Sequence, residues 1–232
     1  MRELIRAANH VHPHDDFFSD IDATLKNSSQ ARAFYQAYDW ALSYLNEQSW
    51  AELSRKAVAH FVDHREGQLK QGFFNQLNDA FAYQFLVRRG CSQVSILRES
   101  KTSTPDIKFF VGDTCYYCEV KTICISQEEI NRRGSASYFD GSVYSELSPA
   151  FLNKLGSALL LAHRQISGQG ATGLVFVVAQ FDDFTMAYYD RYREQLIDFV
   201  RKHEVPDVYV KVGLIGGKGI GKGLLAHAGD DS

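Results

Sequence analysis

The sequence predicts an α/β protein, and three observations carry that prediction. Phe73, Phe74, Leu77, Phe81, Phe85 and Leu86 recur on a helical period. Residues 105–122 read as two short strands, rich in aromatic and β-branched residues, joined at Gly112-Asp113. Gly173 to Ala179 is an apolar run without alternation, the pattern of a strand buried on both faces. Helical and extended periodicities alternate along one chain, as a mixed sheet flanked by helices requires.

The elements follow in order. Phe34, Tyr38, Leu42 and Leu45 space a helix between Ser28 and Asn46, with Ser28 and Ser29 as candidate caps. Trp50, Leu53, Ala57 and Phe61 mark a second amphipathic helix. These segments make residues 1–71 a helical N-terminal extension packed on a core. The helix from Gly72 to Arg89 ends at Gly90, behind the basic pair Arg88 and Arg89 in its last turn. Gln93 to Leu97 alternates like a strand, and a polar connection leads to Pro105, which suits a strand's first residue. After the hairpin, the stretch 126–148 is longer than most connections inside compact domains. Pro149 opens a helix to Ile166 with Leu152, Leu155, Leu159, Ala162 and Ile166 as its stripe and Lys154 and Gln165 as polar members. Residues 188–202 form a further amphipathic helix and 208–215 a further strand. The core domain thus spans 72–215, and 216–232 is a flexible Gly/Lys-rich tail.

Composition narrows the function. The chain has 232 residues, 45% hydrophobic and 23% charged, ordinary for a globular protein with a substantial core. A net charge of −3 gives no global basic field, so nucleic-acid binding requires a local patch. No apolar run approaches the length of a membrane span, and residues 1–20 hold Asp15, Asp16 and three histidines, unlike a secretory signal. The expectation is a cytoplasmic protein with reduced thiols and no membrane partner. His10, His12 and His14 sit around Pro13 near the terminus and are read as terminal sequence in preference to a metal cluster.

The hairpin holds the chemistry. A two-residue loop at Gly112-Asp113 fixes the register by counting outward, so Val111 faces Thr114, Phe109 faces Tyr116 and Asp106 falls opposite Glu119. Asp106, Glu119 and Lys121 then share one face, while Ile107, Phe109, Val111, Cys118 and Val120 share the other, apolar face. Two carboxylates and an ammonium on an otherwise apolar ladder are costly unless something uses them, and a divalent cation would. The competing reading is a plain surface ion pair, worth up to ~1 kcal/mol. Cys115 and Cys118 have zinc-like spacing, yet residues three apart on a strand face opposite sides. Gly216 to Lys222 matches GxxxxGK, but Gly223 stands where a P-loop needs Ser or Thr and only nine residues follow.

With Pro105-Asp106 opening the second strand, twelve residues intervening, and Glu119-Val120-Lys121 closing the third, the order α-β-β-β-α-β resembles the PD-(D/E)XK nuclease superfamily. The resemblance covers Gly72 to Ala179 and implies a restriction-endonuclease-like core. It further implies that Asp106 and Glu119 bind Mg2+ or Mn2+, joined by the backbone carbonyl of Val120, and that Lys121 positions the attacking water. Such proteins often carry a Glu on the first helix; here the candidates are Asn78, which shares the stripe of Phe74, Phe81 and Phe85, and the charged Asp79 one step round. Without that Glu the site is expected to hold one metal instead of two.

Arg132, Arg133 and Lys154 are the candidate contacts to nucleic-acid phosphates, with Tyr138 available to stack on a base. The expected function is metal-dependent hydrolysis of phosphodiester bonds in nucleic acid, DNA ahead of RNA. Two alternatives stand beside it: a catalytically silent nucleic-acid-binding member of the same fold, and a protein-interaction or structural subunit. A homodimer or a partner subunit is compatible with either.

Overall fold

The computed structural model of this chain describes residues 1–62, 70–99, 104–124, 146–180, 188–213 and 219–223. Among them the structure is α/β, with seven helices and six strands, and the strands are hydrogen-bonded to one another in sequence order as an open mixed sheet. The chain divides into two compact units, Met1–Cys115 and Tyr116–Ser232. The helices before residue 72 fall in the same unit as the helix and the two strands that follow them.

In the first unit, α1 (Arg2–Val11), α2 (Ile21–Asn27), α3 (Ser29–Leu42), α4 (Glu47–Ala59) and α5 (Gln71–Arg88) precede β1 (Ser92–Ile96) and β2 (Ile107–Val111). Capping explains two of the starts. Ser28 Oγ accepts from the Ala31 amide at 3.0 Å, and Asn46 Oδ1 accepts from the Ser49 amide at 2.8 Å. The N-terminal segment is a helix that buries Leu4, Ile5 and Ala8, and its His12 ring bonds to the Val58 carbonyl at 3.2 Å and stacks on Phe61.

α5 ends as its sequence indicates. Gly90 takes φ +76°, the Gly90 amide reaches the Val87 carbonyl, and the Cys91 amide reaches that of Leu86, a Schellman closure. Over its last turns α5 is buried all round, from Leu77 to Leu86. Aromatic rings from α3, α4 and their flanks meet it: Tyr38 lies 5.0 Å from Phe81 and Phe61 lies 5.4 Å from Phe73, centroid to centroid. β1 and β2 pair antiparallel, with Ile96 opposite Ile107 and Ser95 opposite Lys108. Ile107 and Phe109 are fully buried, but Val111, expected on the same apolar face, is 43% exposed because it stands beside the turn, past the end of the core.

The second unit contains most of β3 (Thr114–Ile123), then α6 (Pro149–Ser167), β4 (Gly173–Ala179), α7 (Tyr189–Lys202), β5 (Val208–Val212) and β6 (Ile220–Lys222). β3, β4 and β5 run parallel, and β6 returns antiparallel to β5. Ser148 caps α6 with Pro149 in its first turn. Val175 and Val177 of β4 face a core built from Leu155, Leu159, Ala162 and Ile166 of α6 and Tyr192, Leu196 and Val200 of α7. Every residue of β4 from Leu174 to Ala179 is buried, as its unbroken apolar run predicts. The tail departs from expectation: Ile220–Lys222 forms β6, and the Lys222 ammonium donates to the His203 carbonyl. A GK dipeptide inside an antiparallel strand leaves no room for a P-loop, which needs a helix there.

Candidate functional site

The loop between β2 and β3 is two residues long, and only its first residue, Gly112 at φ +57°, takes a positive φ. That is the signature of a type II′ hairpin loop, whose twist matches that of the flanking strands. Asp106 stands one residue before β2, and its backbone carbonyl accepts from the Leu97 amide at 2.8 Å. The hydrogen bond fixes the direction of the main chain there. The Asp106 side chain is 21% exposed, and its Oδ1 lies 3.6 Å from the ammonium of Lys56.

Lys56 was not foreseen from the sequence. It projects from α4, is 1% exposed, and its Nζ also lies 3.5 Å from Asp79 Oδ2. One ammonium therefore serves two carboxylates, at distances of ion pairs and not of short hydrogen bonds. The signal was present in the spacing. The buried positions of α4 are Ser49, Leu53, Lys56 and Ala57, so the helical period that places Leu53 and Ala57 inward places Lys56 inward too. Ser49 reinforces the docking by accepting from the Ile96 amide at 3.1 Å.

Burial pulls the Lys56 pKa down, but Asp79, Asp106 and Glu99 together raise it further than burial lowers it. The ammonium ends above the ordinary lysine value and stays charged. A buried cation without such partners would be strongly destabilising.

The two helix candidates separate cleanly. Asn78, on the favoured stripe, is fully buried, and its side-chain oxygen accepts from the Tyr38 hydroxyl at 3.1 Å. It is committed to α3. Asp79, about 100° further round the helix, is the residue that shares an ammonium with Asp106.

In the second unit, Glu119 and Lys121 lie two apart on β3, in register with Val175 and Val177 of β4. They therefore share the sheet face covered by α6 and α7. Glu119 is 3% exposed, its Oε1 accepts from Lys121 Nζ at 2.6 Å, and the same ammonium donates to Gln165 Oε1 on α6 at 2.9 Å. Lys121 is thus held in a fixed position between a carboxylate and an amide. Val120, between the pair, is in register with Phe176 and turns to the opposite face. Lys154 is exposed and donates to the Cys124 carbonyl at 3.2 Å, tying the end of β3 to α6. Arg132, Arg133 and Tyr138 lie outside the described residues. None of the four cysteines is in a disulfide, and Cys118 is buried.

Among the described residues, no three His, Cys, Asp or Glu side chains gather as a ready metal cluster. Carboxylate and carbonyl oxygens are the ligand types Mg2+ and Mn2+ prefer; Asp106 offers a carboxylate in the first unit, and Glu119 and Val120 offer a carboxylate and a carbonyl in the second. Each carboxylate has an ammonium within ion-pair distance, Lys56 for Asp79 and Asp106, and Lys121 for Glu119. Positive charge already suits these positions. No described helix is long and apolar enough to cross a membrane. The chain matches no protein-family model, no curated protein and no solved structure.

Proposed function

We propose that the chain is a metal-dependent nuclease of restriction-endonuclease-like architecture, hydrolysing phosphodiester bonds of nucleic acid, with DNA ahead of RNA. The observation that carries the reading is the Glu119–Lys121 pair: a carboxylate 3% exposed, bridged at 2.6 Å by an ammonium that α6 also holds through Gln165. Surface pairs are worth little and buried ones cost desolvation, so an ion pair kept this deep on a strand has weak grounds in stability alone. It has good grounds if the two groups work together on a polar substrate. Pro105-Asp106 and Glu119-Val120-Lys121 resemble the PD-(D/E)XK signature, and the register counted from Gly112-Asp113 is what joins Asp106 to Glu119 in this proposal.

Asp106, Glu119 and the Val120 carbonyl would hold Mg2+ or Mn2+, which when bound supplies Lewis-acid polarisation of the phosphate and a water of lowered pKa. Lys121, fixed by Glu119 and Gln165, orients that water and places positive charge beside the phosphate oxygens. A water oxygen would bond to phosphorus as its proton passes to solvent, the ester P–O bond would break, and the leaving alkoxide would take up a proton from solvent. Cleavage of both strands of a duplex would call for two copies of the chain or a partner subunit.

A specific observation favours a second reading, a silent nucleic-acid binder: Lys56 already neutralises part of the carboxylate charge and Asn78 is committed to Tyr38. Plasmid and single-stranded DNA and RNA, incubated with the protein and Mg2+ or Mn2+, separate the two. The nuclease reading expects cleavage by the wild type that Lys121→Ala and Asp106→Ala abolish. Salt-dependent binding without cleavage would leave the silent reading standing, and no binding at all would sink both.

A further inference from the structure

Trp40 is the bulkiest exposed hydrophobic side chain among the described residues, 53% exposed in the last turn of α3. It does not stand by itself. Tyr44, four residues on, meets its ring edge-on with centroids 6.2 Å apart, and the guanidinium of Arg88, in the last turn of α5, lies over the indole at 5.2 Å. Arg89 follows, its guanidinium over the Phe85 ring at 4.1 Å. We propose that Trp40, with Arg88 over its ring, is a stacking platform for an unpaired base of single-stranded nucleic acid.

The inference rests on the nucleic-acid reading of the function and deepens it by naming the strand state of the substrate. The packing of the first unit turns Trp40 outward. It lies two residues, about 200° round the helix, from Tyr38, which is fully buried against Phe81 and Asn78 of α5. Those contacts hold α3 to α5, so ring and guanidinium are placed by two packed helices instead of a loop. The Ser43 hydroxyl also donates to the Trp40 carbonyl at 2.7 Å and fixes the backbone at that helix end. An indole left this exposed forgoes the burial that large aromatic rings otherwise gain. A nucleobase restores it, because every base has a flat face that an aromatic side chain can cover. Charge points to the same occupant. Arg88 and Arg89 bring positive charge to the ring, and Asp39, its acidic neighbour in the chain, lies 2.6 Å from the Met1 ammonium. Phosphates beside the stacked base complement that charge. A duplex keeps its base faces covered by stacking, so the partner is a strand with unpaired bases.

Fluorescence anisotropy with a labelled single-stranded DNA oligonucleotide, and with the blunt duplex of the same sequence, tests this in EDTA without any turnover. The wild type is expected to bind the single strand more tightly than the duplex. Trp40→Ala is expected to weaken single-strand binding about tenfold, and Trp40→Phe, which keeps a ring, less than about threefold. Arg88→Gln is expected to flatten the slope of log affinity against log salt by about 0.7. In a Trp50→Phe background, which leaves Trp40 as the sole tryptophan, the oligonucleotide is expected to quench the emission. Tighter binding of the duplex, an affinity within about twofold of the wild type in a Trp40→Ala protein with native circular dichroism, a salt slope unchanged by Arg88→Gln, or unquenched Trp40 emission would each overturn the inference, leaving the nuclease reading to its own cleavage test. So would a wild-type dimer in sedimentation that Trp40→Ala dissociates, which would give the surface to a second copy of the chain. If Trp40→Ala does not fold, the quenching decides. Trp40-dependent binding without cleavage in Mg2+ would uphold the inference and leave the silent reading standing, whereas a wild type that binds neither strand nor duplex would sink the inference together with both readings.

Discussion

Replacing Lys56 by Met removes a single charge and keeps most of the buried stem, so its cost measures what the ammonium does for two carboxylates. Removing one partner from a buried ion pair typically costs about 3–5 kcal/mol. Two features move the expectation to the lower end. The contacts of 3.5 and 3.6 Å are longer than short charge-assisted hydrogen bonds, and the Asp106 side chain keeps 21% exposure to solvent. The expected loss is about 3 kcal/mol, which lowers a urea midpoint by about 1.5 M for a denaturant slope of about 2 kcal/mol/M. The pH dependence is fixed in sign. The Lys56 pKa is raised in the folded state, so its contribution is fully present below the ordinary value of 10.5 and is lost as pH rises through the folded value. The difference between wild type and variant should therefore be flat from about pH 7 to 9 and shrink in strong alkali. Urea unfolding followed by circular dichroism at several pH values provides the measurement. A loss under about 0.5 kcal/mol, the range of ordinary surface substitutions, would show that the ammonium compensates nothing.

Gln165→Ala removes one of the two groups holding Lys121, and a hydrogen bond to a charged group is worth about 1.5–3 kcal/mol; the nuclease reading expects kcat to fall ~10- to 100-fold, with KM for nucleic acid unchanged. A raised KM with unaltered kcat would assign Gln165 to substrate binding. Tyr38→Phe deletes the hydroxyl donor to Asn78 and should cost about 1 kcal/mol in thermal unfolding while leaving Mn2+ binding alone. Gly112→Ala places a Cβ at φ +57° where no atom lies within 4 Å of it, so only backbone strain is added, about 1–2 kcal/mol of stability. Truncation to residues 72–232 is expected to give insoluble or molten protein, and a folded, Mn2+-binding fragment on gel filtration would contradict the role given to α4.

Much of the fold was legible because it is written in local periodicity. β4 is an uninterrupted apolar run, the hairpin has its glycine at the turn, and α5 carries both its aromatic repeat and the glycine that closes it. Of the candidate site, the sequence shows the residue types at Asp106, Glu119 and Lys121 but not the partners that each side chain meets. The stripe that places Asn78 inward says little about Asp79, because α5 is buried all round over those turns and each side chain's role is then set by which partner it meets. Lys56 escaped notice because a lysine in an amphipathic helix is normally read as its solvent face, whereas here the carboxylates that retain it come from residues 79 and 106, far along the chain. β6 was hidden by its composition: three residues among glycines have no strand period of their own and pair only because β5 offers an edge.

The helices before residue 72 share a unit with α5, β1 and β2 and are tied to them by more than apolar contact. A helix that merely covered a core would offer apolar side chains, and such contacts tolerate small slips. α4 and its cap offer polar commitments as well: Asn46 donates to the Val94 carbonyl, Ser49 accepts from the Ile96 amide, and Lys56 meets Asp79 and Asp106. Each of these fixes a distance that a slip would break, and each would leave a buried polar group stranded if it were lost. Their partners are β1, α5 and the residue that leads into β2, the very elements that the nuclease resemblance assigns to the catalytic core. Asp106 is therefore positioned from two sides, by the β1 ladder through its backbone and by α4 through its side chain. A carboxylate restrained in that way keeps its position without help from any ligand.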